Sequence, residues 1–544
     1  MTDLALDILI KNARVVDGTG NPWFPGDVGI AGGLITEVSP RINGRARHVI
    51  NADGMVASPG FVDIHSHDEL SLLSDPLDTP KIVQGVTTVV TGNCGISTFP
   101  VAEGKAGLLR EHVEQVLSGV EEEDLKPSVN EFARLLARRG TATNVAALVG
   151  HGAIRVAVMG YEARRPTEAE LEKMKALVAS AMGEGAFGLS LGLLYAPGSF
   201  AEMDELAALG REAAAGSGIL AAHVRTYETY LKESVQEFLE ILRRSDAAGQ
   251  LSHLHAGGKK NWGKVKDVLR MMIDARRGGI DIMCDMYPYT AGSTTLSTLM
   301  PPGALAGGPA RLAALLQDPA ARAQIRADVL NGTENRGWES KVPLLGWENI
   351  VISSVVNPRY RHYEGKSFAQ LAGEQGGNPF DLLADLLIAD RGQTLGIMFS
   401  NDPEDIKTIY ASPLHIVGSD GLWRASGKPH PRLYGAYARV IRHMVREEGV
   451  LTLEQAVRKM TSLPAERLGI LNRGLLWPGM AADVVLFRPE AVEDRATFAE
   501  PRQLATGFST VIVNGVVVVE DGQPTGKTPG MFLRHQARPR RYVY

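Results

Sequence analysis

The sequence FVDIHSH, residues 61–67, decides how the chain is interpreted, because it joins an apolar strand to two histidines. In a strand, residues i and i+2 point to the same face, so His65 and His67 can reach one ion together. Two histidines at this spacing also occur by chance at exposed strand ends. An apolar run ending this way has little packing reason to do so, and it predicts a metal site.

Seven further segments have the same strand character, and helical patterns separate most of them. The predicted strands are 61–67, 87–95, 144–152, 186–195, 218–225, 250–256, 280–289 and 414–421, and the run 395–402 competes for the seventh place. Strands that alternate with helices indicate a parallel sheet. The predicted fold is therefore α/β, a (β/α)8 TIM-like barrel over residues 61–474.

Both ends of the chain carry short apolar runs that are bounded by turn residues, at 7–16, 27–38, 482–487 and 510–520. Asn514-Gly515 between two valine-rich runs predicts a hairpin. We expect residues 1–60 and 475–544 to form one small β-sandwich domain. Residues 301–350 are rich in Pro, Gly and Ala; they predict an inserted subdomain or lid, with an extended surface loop as the alternative.

The chemistry-bearing residues fall at the ends of the predicted strands, where parallel barrels place their active sites. They are His65, His67, Cys94, His223, His253 and Asp420. Taken singly, each has an ordinary explanation: a core cysteine, a buried histidine or an Asp-Gly turn. Taken together, thiolate, imidazole and carboxylate are the ligands that zinc prefers. Asp420 beside a metal-activated water also suits a general base.

Composition excludes several classes of protein. The chain has 544 residues, a formal net charge of -5 and only two cysteines, so no disulfide framework stabilises it and no basic field attracts nucleic acid. No apolar run reaches the ~18 residues of a membrane span. The acidic N-terminus does not look like a signal peptide, so a cytoplasmic enzyme is expected; a homo-oligomer is compatible with the sequence.

The motifs FVDIHSHDE, TTVVTGNCGIS, AHVRTYE, SHLHAGGKKNWGK and GSDG resemble the D-aminoacylase (N-acyl-D-amino-acid deacylase) family of the amidohydrolase superfamily. The resemblance covers nearly the whole chain. It implies one tight zinc site on Cys94, His223 and His253. It also implies a weaker second site on His65 and His67 that shares Cys94.

The resemblance also implies roles around the metal. Asp420 would be the general base and a metal ligand, and Tyr195 in LLYAPG would polarise the scissile carbonyl, an oxyanion-type role. His151 in VGHG would assist. Tyr287, Ser293 and Arg432 match substrate-binding positions.

One position departs from the family pattern. The family has Ser-His-x-Lys where this chain has SHLH, so His255 stands in place of a lysine that helps to bind the substrate carboxylate. We expect a cation that titrates near ~6.5 instead of a permanent one.

The sequence therefore predicts a zinc amidase that acts on a small N-acyl amino acid of D configuration or on a related secondary amide. Two alternatives remain open. One is a cyclic amidase of the dihydropyrimidinase or dihydroorotase type, although those use a lysine bridge. The other is a scaffold without catalysis, although such a protein should have lost ligands that are all in place here.

Overall fold

The computed structural model describes residues 6–117, 119–332 and 338–537. Its centre consists of parallel strands, as the alternating pattern predicts. Three short parallel sheets are formed by Phe61–Asp63, Val86–Thr91 and Asn144–Ala147; by Ser66–His67 and Gly421–Leu422; and by Val149–Gly150, Gly188–Gly192, Ile219–His223, Ala248–Leu251, Ile282–Met286 and His415–Val417. Each of the eight predicted segments overlaps at least one of these strands. The α/β class is thus confirmed.

The run 395–402 does not take the seventh place among the parallel strands. Ile282–Met286 lies between Ala248–Leu251 and His415–Val417 in the six-stranded sheet. The strand Leu395–Phe399 instead pairs antiparallel with Ala291–Thr295 and Ile350–Ser354.

Strands from both ends of the chain form one nine-stranded sheet. Val484–Phe487 pairs antiparallel with Val56–Pro59, which joins the C-terminal strands to the N-terminal ones. The strands are Leu6–Val15, Phe24–Ala31, Leu34–Ser39, Ala46–Asn51, Val56–Pro59, Val484–Phe487, Phe508–Val513, Val516–Glu520 and Gln523–Pro524. Asn514-Gly515 forms the predicted hairpin turn, with both residues at positive φ.

Residues 301–332 and 338–350 are mostly helical, and their buried apolar side chains belong to a second hydrophobic cluster. This cluster begins at Leu296 and continues through Phe368 and Phe380 to Met398, so it extends beyond the predicted segment on both sides. The helices here are Pro302–Leu305, Gly308–Gln317, Pro319–Asn331, Val342–Leu345, Phe368–Gln375 and Pro379–Ala389.

The remaining helices follow the parallel strands and cover them. They are Ser71–Ser74, Thr79–Ile82, Ala106–Val113, Val129–Arg139, His151–Met159, Glu168–Gly183, Met203–Ala215, Leu231–Ser245, Lys264–Arg277, Pro403–Ala411, Arg432–Arg439, Leu453–Met460 and Ser462–Leu468. Thr167 and Glu170 cap the helix Glu168–Gly183 reciprocally, in a capping box. Within the described residues, every helix is too short or too polar to cross a bilayer.

Candidate metal centre

The six candidate ligands meet at the carboxyl ends of the parallel strands. Two groups of ligand atoms share Cys94, and within each group the atoms lie within 4.8 Å of one another. One group is His65, His67, Cys94 and Asp420, and the other is Cys94, His223 and His253. All six residues are buried. Strands that are far apart in sequence therefore deliver their last residues to one point.

A close approach of two backbones brings Cys94 into this group. Cys94 itself has φ +54°, and the neighbouring Gly92 and Gly95 also have positive φ. At Gly192, which ends the strand Gly188–Gly192, a Cβ atom would lie 2.0 Å from the Cys94 carbonyl oxygen. Only glycine leaves room for this contact. Gly92 and Gly95 are crowded in the same way, since a Cβ atom would lie 2.0 Å from the Leu148 carbonyl oxygen at Gly92 and 2.7 Å from the Gly192 backbone nitrogen at Gly95.

The distances within the centre match a shared metal site. The Cys94 Sγ lies 3.3 Å from His65 Nε2 and 3.6 Å from His253 Nε2. The Asp420 Oδ1 lies 3.4 Å from His65 Nε2 and 3.3 Å from His67 Nε2. A sulfur and a carboxylate oxygen are therefore both surrounded by imidazole nitrogens.

The charges of these groups are strongly coupled. Burial raises the pKa of Cys94, but the charge of His65 and the contacts with His223, His253 and His65 outweigh it, so the thiol pKa lies well below its usual value. Burial also raises the pKa of Asp420, but Arg432 and His65 hold it well below the usual range. The site thus favours a thiolate and a carboxylate, the forms that bind a cation.

Unsatisfied nitrogen atoms show that these residues fit a metal ion. Both ring nitrogens of His223 are buried without a hydrogen-bonding partner among the described residues, and so are Nδ1 of His67 and Nδ1 of His253. Buried polar groups are normally paired, so unpaired imidazole nitrogens around a thiolate point to a missing ligand. Cysteine, histidine and carboxylate donors are those of zinc.

Asp285 orients two of the candidate ligands, His65 and His253, and the sequence analysis missed it. Its Oδ1 accepts from His65 Nδ1 at 3.0 Å and from the His253 backbone N–H at 2.8 Å. The bond to Nδ1 leaves Nε2 of His65 free for a metal, a common role of a second carboxylate. The signal that could have revealed it is an acid within the apolar run IDIMCDM, where a buried carboxylate needs a partner.

A second buried network ties two ligand-bearing segments together. Lys81 forms ion pairs with Asp63 and with Asp68, and it donates to Ser419 Oγ at 2.8 Å. Asp63 also accepts from the Ser419 backbone N–H at 2.9 Å. Asp63 and Ser419 each lie within two residues of a ligand, so this network holds the loops of His65 and Asp420 in register.

The predicted substrate residues lie on the wall of a cavity above the centre. Its lining includes Tyr195, His255, Tyr287, Ser293 and Arg432, together with several ligands. Arg432 Nη1 lies 2.8 Å from Asp420 Oδ2, and its guanidinium lies 4.5 Å from the centre of the Tyr287 ring. The Tyr195 hydroxyl pairs with Thr294 Oγ1 at 2.9 Å. Burial raises the pKa of Tyr195 well above 10, so the hydroxyl keeps its proton.

The expectation that His255 titrates near neutral pH is wrong. Burial, followed by the charge of His253, lowers the pKa of His255 to about 3. Its Nδ1 donates to the carbonyl oxygen of His253 at 2.6 Å, and its ring stacks on Tyr227 at 4.3 Å. The sequence could not show this packing, and His255 is a neutral side chain here.

His151 lies outside the lining of this cavity. Its Nε2 lies 2.8 Å from Glu205 Oε1, and Arg155 binds the other oxygen of the same carboxylate at 2.6 Å. The geometry gives His151 a buried hydrogen bond to Glu205 and no place in the lining of the cavity.

Comparisons with known proteins agree with this geometry. The profile of the Amidohydrolase family matches residues 48–519. The N-acyl-D-aspartate deacylase of Alcaligenes xylosoxydans xylosoxydans is 35% identical, over 97% of this chain and 95% of that protein. The D-aminoacylase of the same organism is 33% identical over 98% of both chains.

Solved structures match over the same extent. One is the N-acyl-D-glutamate deacylase from Bordetella bronchiseptica, which was solved in complex with zinc and a phosphonate mimic of the tetrahedral intermediate. It superposes with a TM-score of 0.82 at 34% sequence identity, over 97% of this chain and 100% of that chain. The L-hydantoinase from Arthrobacter aurescens shares only the fold, with 15% identity and a TM-score of 0.56 over 97% of this chain and 100% of its own. This chain belongs to the amidohydrolase family, within the group of the D-aminoacylases.

Proposed function

We propose that this protein is a zinc-dependent hydrolase that cleaves the amide bond of N-acyl amino acids and prefers those of D configuration. The observation that carries the proposal is the buried set of Cys94, His223 and His253, with His65, His67 and Asp420 sharing the same thiolate. The zinc-bound deacylase from Bordetella bronchiseptica supports the choice of metal.

Cys94, His223 and His253 would hold the first zinc. A bound zinc makes a water molecule more acidic and polarises a carbonyl group. His65 and His67, with Cys94 and Asp420, would hold a weaker second ion. A study of the related D-aminoacylase names a binuclear centre in which one metal activates and the second attenuates, which supports two unequal sites.

The chain's own residues would carry the proton transfers. Asp420 is a carboxylate at neutral pH because Arg432 and His65 outweigh the effect of burial on its pKa. It would take the proton of the attacking water and return it to the leaving amine. Tyr195 keeps its proton because burial raises its pKa, so it can donate a hydrogen bond to the carbonyl oxygen as negative charge develops there.

Arg432, Tyr287 and Ser293 would position the substrate. Arg432 is 1% exposed and is held by the face of Tyr287 and by the Ser293 carbonyl oxygen at 3.1 Å. A fixed guanidinium presents a planar pair of donors to a carboxylate. His151 does not line the cavity, so the geometry does not support the assisting role that was expected for it.

We propose further that the parallel strands close into a (β/α)8 barrel. Ser66–His67 pairs with Gly421–Leu422, and the backbone N–H of Asp420 donates to the His65 carbonyl at 2.7 Å, which links the last strand to the first. One hydrophobic cluster includes Val62, Val90, Leu148, Phe187, Ile219, Met283 and Ile416, with Ala248 packed against it. Side chains from all eight strand regions thus share one interior.

The domain organisation is proposed on similar grounds. The nine-stranded sheet would fold over itself as a β-sandwich, because Ile8, Val28, Val484 and Ile512 share one buried cluster. The region around 301–350 would be a subdomain beside the barrel. A cytoplasmic location and a homo-oligomeric state stay predictions.

Amine release from paired D and L forms of N-acetyl amino acids tests the function, with hydantoin and dihydrouracil as cyclic amides. We expect turnover of D-forms by zinc-loaded enzyme, loss after chelation, and recovery with added zinc. Turnover confined to the cyclic amides would contradict the proposal. No turnover of any amide by protein with stoichiometric zinc would favour the scaffold alternative.

A further inference from the structure

A buried lysine that the sequence analysis did not single out lies on the wall of the substrate cavity. Lys341 precedes the helix Val342–Leu345, and the residue is 8% exposed. It lines the same cavity as His255, Glu228 and Leu345. Lysine side chains are rarely buried without a function or a partner. Lys341 therefore needs an explanation in terms of the cavity.

Glu228 fixes the position of this lysine. Its Oε1 forms an ion pair with the Lys341 ammonium. Its Oε2 accepts from Thr226 Oγ1 at 2.7 Å and from the Tyr227 backbone N–H at 3.1 Å. The carboxylate is thus anchored by its own loop, and it holds the ammonium in place.

The ammonium still has hydrogen-bonding capacity. An ammonium group carries three N–H donors. Among residues 6–117, 119–332 and 338–537, Glu228 is the one side chain that pairs with Lys341. Lys341 lines the same cavity as His223 and His253, so the ammonium lies on the wall that these two candidate ligands share.

His255 is already engaged within its own segment. Its Nδ1 donates to the His253 carbonyl, and its ring is stacked on Tyr227 with an interplanar angle of 8°. These two contacts hold the ring in place at position 255. A lysine ammonium reaches this part of the cavity from the region around 301–350 instead.

We propose that Lys341 binds a carboxylate of the substrate, as a second cation besides Arg432, and so favours substrates that place a free carboxylate at this part of the cavity. This inference rests on the proposed function and names its substrate class. Glu228 acts as a positioning residue for the ammonium. The carboxylate is either the α-carboxylate or a side-chain carboxylate, and substrate pairs distinguish the two.

The main variant removes the cation without leaving an uncompensated buried acid. Lys341→Met is combined with Glu228→Gln, and Lys341→Arg tests whether another cation restores binding. The exposed Lys259 supplies the matched control, Lys259→Met. The zinc-loaded enzymes are compared on N-acetyl-D-glutamate against N-acetyl-D-glutamine, and on N-acetyl-D-methionine against its methyl ester.

We expect KM to rise about 10- to 100-fold for the substrates that place a carboxylate on Lys341, with kcat little changed, because a hydrogen bond to a charged group contributes about that factor. Loss of the glutamate preference alone identifies a side-chain carboxylate. Loss of the acid preference over the ester alone identifies the α-carboxylate. Equal effects on both members of both pairs would overturn the inference.

Binding measured without turnover separates this inference from the proposed function. Calorimetric titration of zinc-loaded Asp420→Asn protein with N-acetyl-D-glutamate reports affinity alone. We expect the double change at Glu228 and Lys341 to weaken this binding about as much as it raises KM. Binding that is lost in the double variant supports Lys341 even if no substrate is cleaved. Unchanged binding rejects Lys341 while the amidase function stands.

Discussion

At the scale of single residues, the two cysteines show how neighbours set chemistry. Both are buried, and burial alone raises the pKa of a thiol, as it does at Cys284. At Cys94 the surrounding imidazoles reverse this effect and favour the thiolate. The same side chain is therefore a small apolar group at one position and the proposed metal ligand at the other.

This contrast supplies a matched pair of variants. We expect Cys94→Ala to lose most bound zinc and nearly all activity, since it removes the atom shared by both ligand groups. Cys284→Ala should keep about one zinc per chain, because the one hydrogen-bonding partner of its Sγ among the described residues is the Leu414 carbonyl. Metal analysis of both purified proteins checks this. Full zinc and normal turnover in Cys94→Ala would contradict the assignment.

Asp420 allows a second test at this scale. Asp420→Asn keeps shape and removes the base, so kcat should fall by about 10²–10⁴-fold, while the melting temperature and most of the zinc are retained. Asp405→Asn is the control, since Asp405 is equally buried but binds the Gly263 N–H. The measurements are kcat, zinc content and thermal unfolding. Near-normal kcat with stoichiometric zinc would exclude a role as general base.

At the scale of elements, the centre depends on how closely two strand ends approach. Gly192 ends the strand Gly188–Gly192, directly against the backbone of Cys94. The sequence shows glycines here, but it cannot show which backbone each one touches. It predicts the strands and their terminal ligands because both are local patterns. Asp285 escaped notice because its partner His65 lies 220 residues away along the chain, and the link from Lys81 to Ser419 spans 338 residues.

Gly192→Ala tests whether the centre depends on the close contact between the backbones of Gly192 and Cys94. The new Cβ would lie 2.0 Å from the Cys94 carbonyl oxygen, so the loop must move. Overpacking of this kind costs about 1–3 kcal/mol, and zinc affinity should fall with it. Gly183→Ala, at the end of the helix Glu168–Gly183 with open space around its Cβ, should be neutral or stabilising by up to ~1 kcal/mol. Zinc titration of both variants compares their zinc affinities with that of the wild type. Wild-type zinc affinity in Gly192→Ala would reject the steric argument.

At the scale of the whole molecule, the limits of sequence reasoning lie in long-range packing. Hydrophobic periodicity sufficed for the α/β class and for the positions of the parallel strands along the chain. It did not show that Leu395–Phe399 joins an antiparallel sheet, because strand character does not specify the partner. It also did not show that His255 is buried against Tyr227, where its pKa is lowered. Nor did it show that Lys341, which follows His255 by 86 residues in the sequence, lines the same cavity.

The nine-stranded sheet makes the two ends of the chain depend on each other. Ile512, from the C-terminal strand Phe508–Val513, is fully buried in one cluster with Ile8, Ile10 and Val28. Val484–Phe487 lies between that strand and Val56–Pro59. Loss of the C-terminal strands would expose one edge of the sheet and open the shared cluster, so the N-terminal strands would lose protection without being altered themselves.

We therefore expect deletion of residues 505–544 to increase hydrogen exchange in residues 7–38 far more than in Ile219–His223 of the parallel sheet. A chain ending at Ala537 is the control for the deletion. Because a large deletion can prevent folding, Ile512→Ala tests the same coupling with one side chain, and it should cost about 2–5 kcal/mol of unfolding free energy. Ile273→Ala, at an exposed isoleucine, should change stability by at most ~0.5 kcal/mol. Unchanged protection of residues 7–38 in both the deletion and Ile512→Ala would mean that the two ends are separate units, since a shared cluster cannot lose a buried isoleucine without effect on its other members.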